Sequence, residues 1–200
     1  MISSLIIVGF FILGSILSYF NIIPQEISES KLDYYALCAL MFSVGISVGH
    51  DSKSIEKFRS LNPMLILLPL MTIIGTLCGS GVASLFLSDR SLSDCLAVGS
   101  GFGYYSLSSI FITQYKGAEL GTIALLSNIT REIITLLAAP LMVIYFGKLS
   151  PISAGGATTM DTTLPIIMRS SGQEFVTLAI FHGITVDFTV PFLVTLFCSI

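Results

Sequence analysis

Charge is what this chain has least of: nine Lys and Arg and twelve Asp and Glu make up 10% of its 200 residues, where a soluble domain carries roughly a quarter. Hydrophobic residues fill 54% of it and the mean hydropathy is +0.92, so a membrane protein is expected. The net charge of −3 says nothing about nucleic acid, and with no basic patch and no basic run interleaved with aromatics, nucleic acid is not expected as a partner. The four cysteines, Cys38, Cys78, Cys95 and Cys198, show no CxxC spacing. Three of them lie inside apolar runs, which makes them small packing residues rather than a disulfide or metal framework. No metal site and no cofactor are expected. There is also no GxGD and no HExxH, and an enzyme is not expected. Residues 1–20 lack the basic n-region and small-residue cleavage site of a signal peptide, so they read as a first membrane span.

Asn21 and Pro24 stop that span, and the next few residues carry Glu26, Glu29, Lys31 and Asp33, enough charge to need water. A second span covers 34–49, with Gly45 and Gly49 in the small-xxx-small spacing that lets a neighbouring helix come close. Residues 50–62 hold Lys53, Lys57 and Arg59, the densest basic cluster in the chain. The positive-inside rule puts this loop, and with it Met1, on the cytoplasmic side. A third span, 63–87, is 25 residues long and can cross the hydrocarbon core with tilt. Gly75, Gly79 and Ala83 give it a small-residue packing face, and Asp89, Arg90 and Asp94 end it outside. Residues 1–95 thus read as a packing scaffold.

From Leu96 the helical period breaks. The run GSGFGYYSLSS (99–109) alternates Gly99, Gly101 and Gly103 and then gathers hydroxyls. Each Gly costs a helix up to about 1 kcal/mol relative to Ala, and unwound backbone at membrane depth survives only against protein or water. Residues 96–114 therefore read as a broken or re-entrant segment facing a cavity, with Tyr104 and Ser106 among its polar groups. A helical hairpin with a Gly-rich packing face is the alternative. After a turn at Lys116, Gly117 and Glu119, a long apolar helix over 120–146 carries Asn128, Arg131 and Glu132 in mid-span. Asn128 and Glu132, four apart, stack on one face while Arg131 projects elsewhere. A charge at the bilayer centre costs at least ~2.5 kcal/mol, so these residues serve a function or form a self-satisfied Arg131–Glu132 pair.

A second interrupted stretch follows, SAGGATTMDTTLP (153–165), in which Thr159 and Thr162 flank Asp161. Pro165 removes a backbone donor and would kink a helix there. A carboxylate among hydroxyls and loosened carbonyls suits an ammonium group or a proton; a water-exposed surface loop is the alternative. The last span, 175–200, carries His182, Asp187 and Pro191. His182 and Asp187 are five apart and not a simple pair, and His182 reads as a packed or hydrogen-bonded histidine.

These two stretches repeat one another. A shift by the 55 residues that separate Gly101 from Gly156 also lays Ile112 on Ile167, Gly117 on Gly172, Glu119 on Glu174, Ala124 on Ala179 and Glu132 on Asp187. Residues 96–146 and 147–200 read as two copies of a broken segment followed by a helix, a pattern of transporters. The expected fold is an all-α polytopic membrane protein with about five full transmembrane helices plus two broken or re-entrant segments. Inverted copies would set the broken pieces tip to tip near the midplane, with the helices bearing Glu132 and Asp187 opposed. If both pieces cross instead, there are seven spans and those helices run parallel. Either way the N-terminus is cytoplasmic and the C-terminus outside.

The succession LMFSVGISVGHD (40–51), GSGFGYYSLSS (99–109), LLSNITREI (125–133) and GGATTMDTTLP (155–165) resembles the LysO family of lysine exporters, over nearly the whole chain. The resemblance implies a multi-pass protein of the bacterial inner membrane that exports L-lysine or a close basic analogue through intramembrane acids. By motif position those acids fall on Glu132 and Asp161; Asp187 enters from the internal repeat alone. Full-length members of the family are longer at the N-terminus, which implies a small membrane-protein partner that supplies further spans, or a homodimer.

The candidate substrate- and proton-binding residues are Glu132, Asp161, Asn128 and Thr159, with Thr162, Ser106, Tyr104 and Asp187 beside them. Moving a cation out of a negative interior works against ~2.3 kcal/mol per charge per 100 mV, so coupling is expected. Proton antiport is the natural form, because a desolvated carboxyl group can trade a proton for an ammonium group. The rival reading is a non-transporting membrane subunit that scaffolds a separate transporter.

Overall fold

An apolar chain that must satisfy its own backbone in lipid has helix as its main recourse, and among the described residues every regular element is helical. The computed structural model describes residues 67–200 and, before them, residues 13, 14, 16, 17, 19, 20, 35, 42 and 65. The chain divides into two units, Met1–Gly49 and His50–Ile200. The expected first and second spans, the Gly45 and Gly49 face and the basic 50–62 loop lie outside the described residues.

Within the second unit the helices are α1 (Leu68–Ser84), α2 (Leu92–Gly99), α3 (Tyr105–Lys116), α4 (Ala118–Phe146), α5 (Ser150–Gly155), α6 (Leu164–Ser171) and α7 (Val176–Cys198), with tighter turns at Gly156–Met160 and Gln173–Phe175. The start of α2 is fixed by a reciprocal cap: the Asp94 amide donates to Ser91 Oγ at 3.1 Å, and the Ser91 amide to Asp94 Oδ2 at 3.3 Å. Partial burial pushes the Asp94 carboxyl up, but Ser91 and Lys116 outweigh it and hold the group below its ordinary range. Pro165 does not kink a helix. It sits in the first turn of α6, where its missing amide has no partner to lose. On α1, a Cβ at Gly75 or Gly79 would meet nothing within 4 Å among the described residues; the close approach falls at Ser80, against Gly99.

Two stretches, α4 and Gln173–Cys198, are long and apolar enough to cross a membrane, and α1 is a shorter apolar helix. Ile133, Ile134, Leu137, Leu141 and Ile144 on α4, and Phe188, Phe192 and Leu196 on α7, are exposed. Water would reject faces of that size; lipid would cover them.

Ion pairs tie the outer ends of the short helices together. Lys116, at the end of α3, lies 3.5 Å from Asp94, at the start of α2, and Arg90 pairs with Glu119 in the first turn of α4. Helices α2 and α3 thus form a hairpin that starts and finishes at one place. At the far end of α4, Lys148 pairs with Glu174 at 3.1 Å, which closes α5 and α6 into a second hairpin. Because α4 has 29 residues, a rise of about 43 Å separates the two clusters of ion pairs. Helix α7 begins beside Glu174 and ends with Cys198 within range of the charges of Lys116 and Asp94. So α4 and α7 run in opposite directions.

The two hairpins meet at their tips. The Ala157 amide donates to the Phe102 carbonyl at 2.9 Å. Gly156 has φ 63, and a Cβ there would strike that same carbonyl, so both the backbone conformation and the contact demand glycine. Phe102 itself is fully buried at φ 45, a left-handed conformation that costs a side-chain-bearing residue roughly 1–2 kcal/mol.

Candidate functional site

Breaking a helix strips amides and carbonyls of their ladder partners, and buried side chains on α4 and α7 take them up. At the first tip, the Gly103 amide donates to Asn128 Oδ1 at 2.7 Å, while Asn128 Nδ2 donates to the Ala124 carbonyl at 2.8 Å. Gly101 leaves the room for this, since a Cβ there would collide with the Asn128 amide group.

One turn further along α4, Arg131 serves the second tip. Its Nε donates to the Ala154 carbonyl at 2.7 Å, and Nη2 to the Ser153 carbonyl at 3.0 Å. Nη1 reaches Thr76 Oγ1 at 3.4 Å. Two of these acceptors are terminal carbonyls of α5, where the helix dipole favours a cation. The guanidinium also lies over the Phe102 ring, 5.9 Å from its centroid, so one side chain touches both tips. An open cleft of about 460 Å³ runs beside it, lined by Ser127, Thr130, Arg131, Ile134, Thr135 and Ala154.

His182 is hydrogen-bonded at both ring nitrogens. Nε2 is 2.9 Å from Thr72 Oγ1 and Nδ1 is 3.3 Å from Thr159 Oγ1, while Thr72 Oγ1 donates to Ser153 Oγ at 3.0 Å. This chain of groups fastens α1, α7 and the second break together.

Carboxyl groups come together from α4, from the second break and from α7. Glu132 is completely buried, Asp187 is 3% exposed and Asp161 is exposed. Glu132 and Asp161 lie within range of each other's charge, as do Asp161 and Asp187, and both aspartates act on the Tyr104 hydroxyl. Ser106 hydrogen-bonds Tyr104, and the Thr162 amide donates to Asp161 Oδ1. Asp187 Oδ1 is buried with no hydrogen-bond partner among the described residues, an arrangement that costs free energy unless something else binds there. Among the described residues no group of three or more His, Cys, Asp or Glu side chains is placed to hold a metal ion.

Of the residues marked in the sequence, Glu132, Asp161, Asp187, Tyr104, Ser106 and Thr162 gather around these acids. Asn128 and Thr159 are turned to broken backbone instead. The Thr159 hydroxyl lies 2.8 Å from both the Gly156 and the Ala179 carbonyl. His182 is hydrogen-bonded, as its sequence context suggests, but the sequence does not reveal its partners Thr72 and Thr159, the reach of Arg131 into the second break or the strained Phe102. The signals for them are a guanidinium and a histidine in apolar helices.

The fold and site define a helical membrane protein in which interrupted hairpins meet beside buried carboxyl groups. The chain belongs to the lysine exporter LysO family, whose profile matches residues 8–198. It is similar to the protein named lysine exporter LysO from Escherichia coli, 32% identical over 82% of this chain and 54% of that one. It is also similar to a Haemophilus influenzae protein provisionally described as a lysine exporter, 34% identical over 82% of this chain and 83% of that one. The chain thus spans about half the length of the Escherichia coli relative. No solved structure matches it.

Proposed function

We propose that this protein is a secondary transporter of the bacterial inner membrane that exports L-lysine, or a close basic amino acid, in exchange for protons. The observation that carries the reading is the set of carboxyl groups beside the hairpin tips, with Glu132 completely buried and Asp161 open to an arriving ligand. The names of the relatives supply the substrate.

An inverted internal repeat with five spans is the topology we favour. Its support is the opposed run of α4 and α7 and the ion pairs that close each hairpin on its own side. Further support comes from the 55-residue shift. It relates Phe102 to Ala157, the pair that bonds at the tips. It also relates Gly117 to Gly172, with φ 92 and 118, and Glu119 to Glu174, each of them in an ion pair. With the basic 50–62 loop cytoplasmic, the first hairpin enters from outside and the second from the cytoplasm.

In this mechanism the lysine side-chain ammonium meets Asp161 first and shares the acids with Glu132. The uncapped start of α3 offers the positive end of a helix dipole to the substrate carboxylate. Glu132 is sealed from water, so it and the neighbouring Asp161 cannot both hold charge without a cation, and the ammonium group and the proton exclude one another. That exclusion is the coupling.

The test is efflux from lysine-loaded proteoliposomes under an imposed pH gradient. Wild type responds to the gradient, whereas Glu132→Gln and Asp161→Asn insert normally and do not export. Efflux indifferent to the gradient, or wild-type rates in both amide variants, overturns the proposal. Resistance to the toxic analogue thialysine in cells expressing this chain alone separates a transporter from a scaffold subunit, which confers none.

A further inference from the structure

We infer that Asp187 carries a second proton through the transport cycle, so that two protons enter for each lysine that leaves. The inference rests on the exchange reading above and extends it. Asp187 sits in the middle of α7, 3% exposed, and its Oδ1 has no hydrogen-bond partner among the described residues. None of the ion pairs among those residues includes it.

The titratable groups that face it are Asp161 from the second break and Tyr104 from the first. Glu132 on α4 stands beyond Asp161 and within range of its charge. On α7 itself, His182 is engaged at both nitrogens by Thr72 and Thr159. Arg131 is engaged by the Ser153 and Ala154 carbonyls. A sealed carboxyl group in such company is tolerated only with a proton or a cation on it.

Lysine supplies the reason for a further acid, because it carries two ammonium groups and one carboxylate. The exchange at Glu132 and Asp161 accounts for the side-chain ammonium and leaves the α-ammonium unmatched. The acids are not gathered on one point as metal ligands would be, which lets each hold a separate cation.

When the site faces outward, Asp187 and one of the other two acids each take a proton from water. When it faces the cytoplasm both protons dissociate, and the two carboxylates bind the two ammonium groups. Lysine then leaves outside and the carboxylates are reprotonated. Two protons in against one lysine cation out moves one positive charge inward, so an interior-negative membrane potential drives export instead of opposing it.

The experiment uses the full-length protein in liposomes loaded with radiolabelled lysine, with valinomycin and potassium gradients setting the potential at equal pH. An interior-negative potential should speed wild-type efflux several-fold. With a pH gradient and no potential, the final lysine gradient should follow the square of the proton gradient. In Asp187→Asn efflux slows, and what remains ignores the potential and follows the first power, because one-for-one exchange moves no net charge.

Wild-type efflux that follows the pH gradient to the first power and ignores the potential overturns the inference while leaving the exchange reading intact. An Asp187→Asn variant that keeps the response to potential overturns it as well. If that variant is inactive, the power law measured on wild type decides alone. Wild type with no pH-driven efflux sinks the exchange reading, and this inference with it.

Discussion

Gly156→Ala probes the contact between the tips on which the site depends. Gly156 has φ 63 and ψ −127, a region closed to side-chain-bearing residues at a cost of about 1–3 kcal/mol. The added methyl group would also strike the Phe102 carbonyl; overpacking of this kind costs about 1–3 kcal/mol. If the tips part to relieve it, the Ala157-to-Phe102 hydrogen bond is lost, about 1 kcal/mol more. The expected destabilisation is on the order of 4 kcal/mol.

Gly147→Ala is the matched control. Gly147 has φ 85 and a Cβ there meets nothing within 4 Å, so it pays the backbone cost alone. Thermal unfolding in detergent should therefore place Gly156→Ala well below Gly147→Ala, by about 2 kcal/mol or more, and only Gly156→Ala should lose lysine efflux. Equal stability and equal efflux in the two variants would refute the tip contact.

Asn128→Ala strands the buried Gly103 amide and should cost about 1–3 kcal/mol in the same unfolding assay. Arg131→Lys keeps the charge but loses the planar fork whose Nε and Nη2 serve the Ala154 and Ser153 carbonyls; efflux should fall sharply with expression maintained, since a point charge does not replace that fork. Ser91→Ala removes the cap of α2 and should cost about 1 kcal/mol, with efflux near wild type at low temperature.

Much of the architecture was legible because its signals are local. Alternating Gly99, Gly101 and Gly103 announce a break, and a carboxylate within an apolar run announces its own cost, so both interruptions and Glu132, Asp161 and Asp187 stand out in the bare sequence. Contacts made through backbone atoms leave no such mark. The bond from Ala157 to Phe102 uses an amide and a carbonyl that any residues would supply, and only the requirement for glycine at 156 hints at it. Arg131 was visible as a charge, but its acceptors on Ser153 and Ala154 were not. Thr159 lies two residues from Asp161, which points its hydroxyl toward a substrate, whereas the Gly156 carbonyl of the break and the Ala179 carbonyl of α7 occupy that hydroxyl.

The opposition of the two hairpins is tested most directly by single cysteines at Glu119, Lys148 and Glu174, in a background without the native cysteines, labelled with a membrane-impermeant maleimide from each side. The account predicts that Lys148→Cys and Glu174→Cys react from the same face and Glu119→Cys from the opposite one. Labelling of Lys148→Cys and Glu174→Cys from opposite faces, or of Glu119→Cys and Glu174→Cys from the same face, would contradict it.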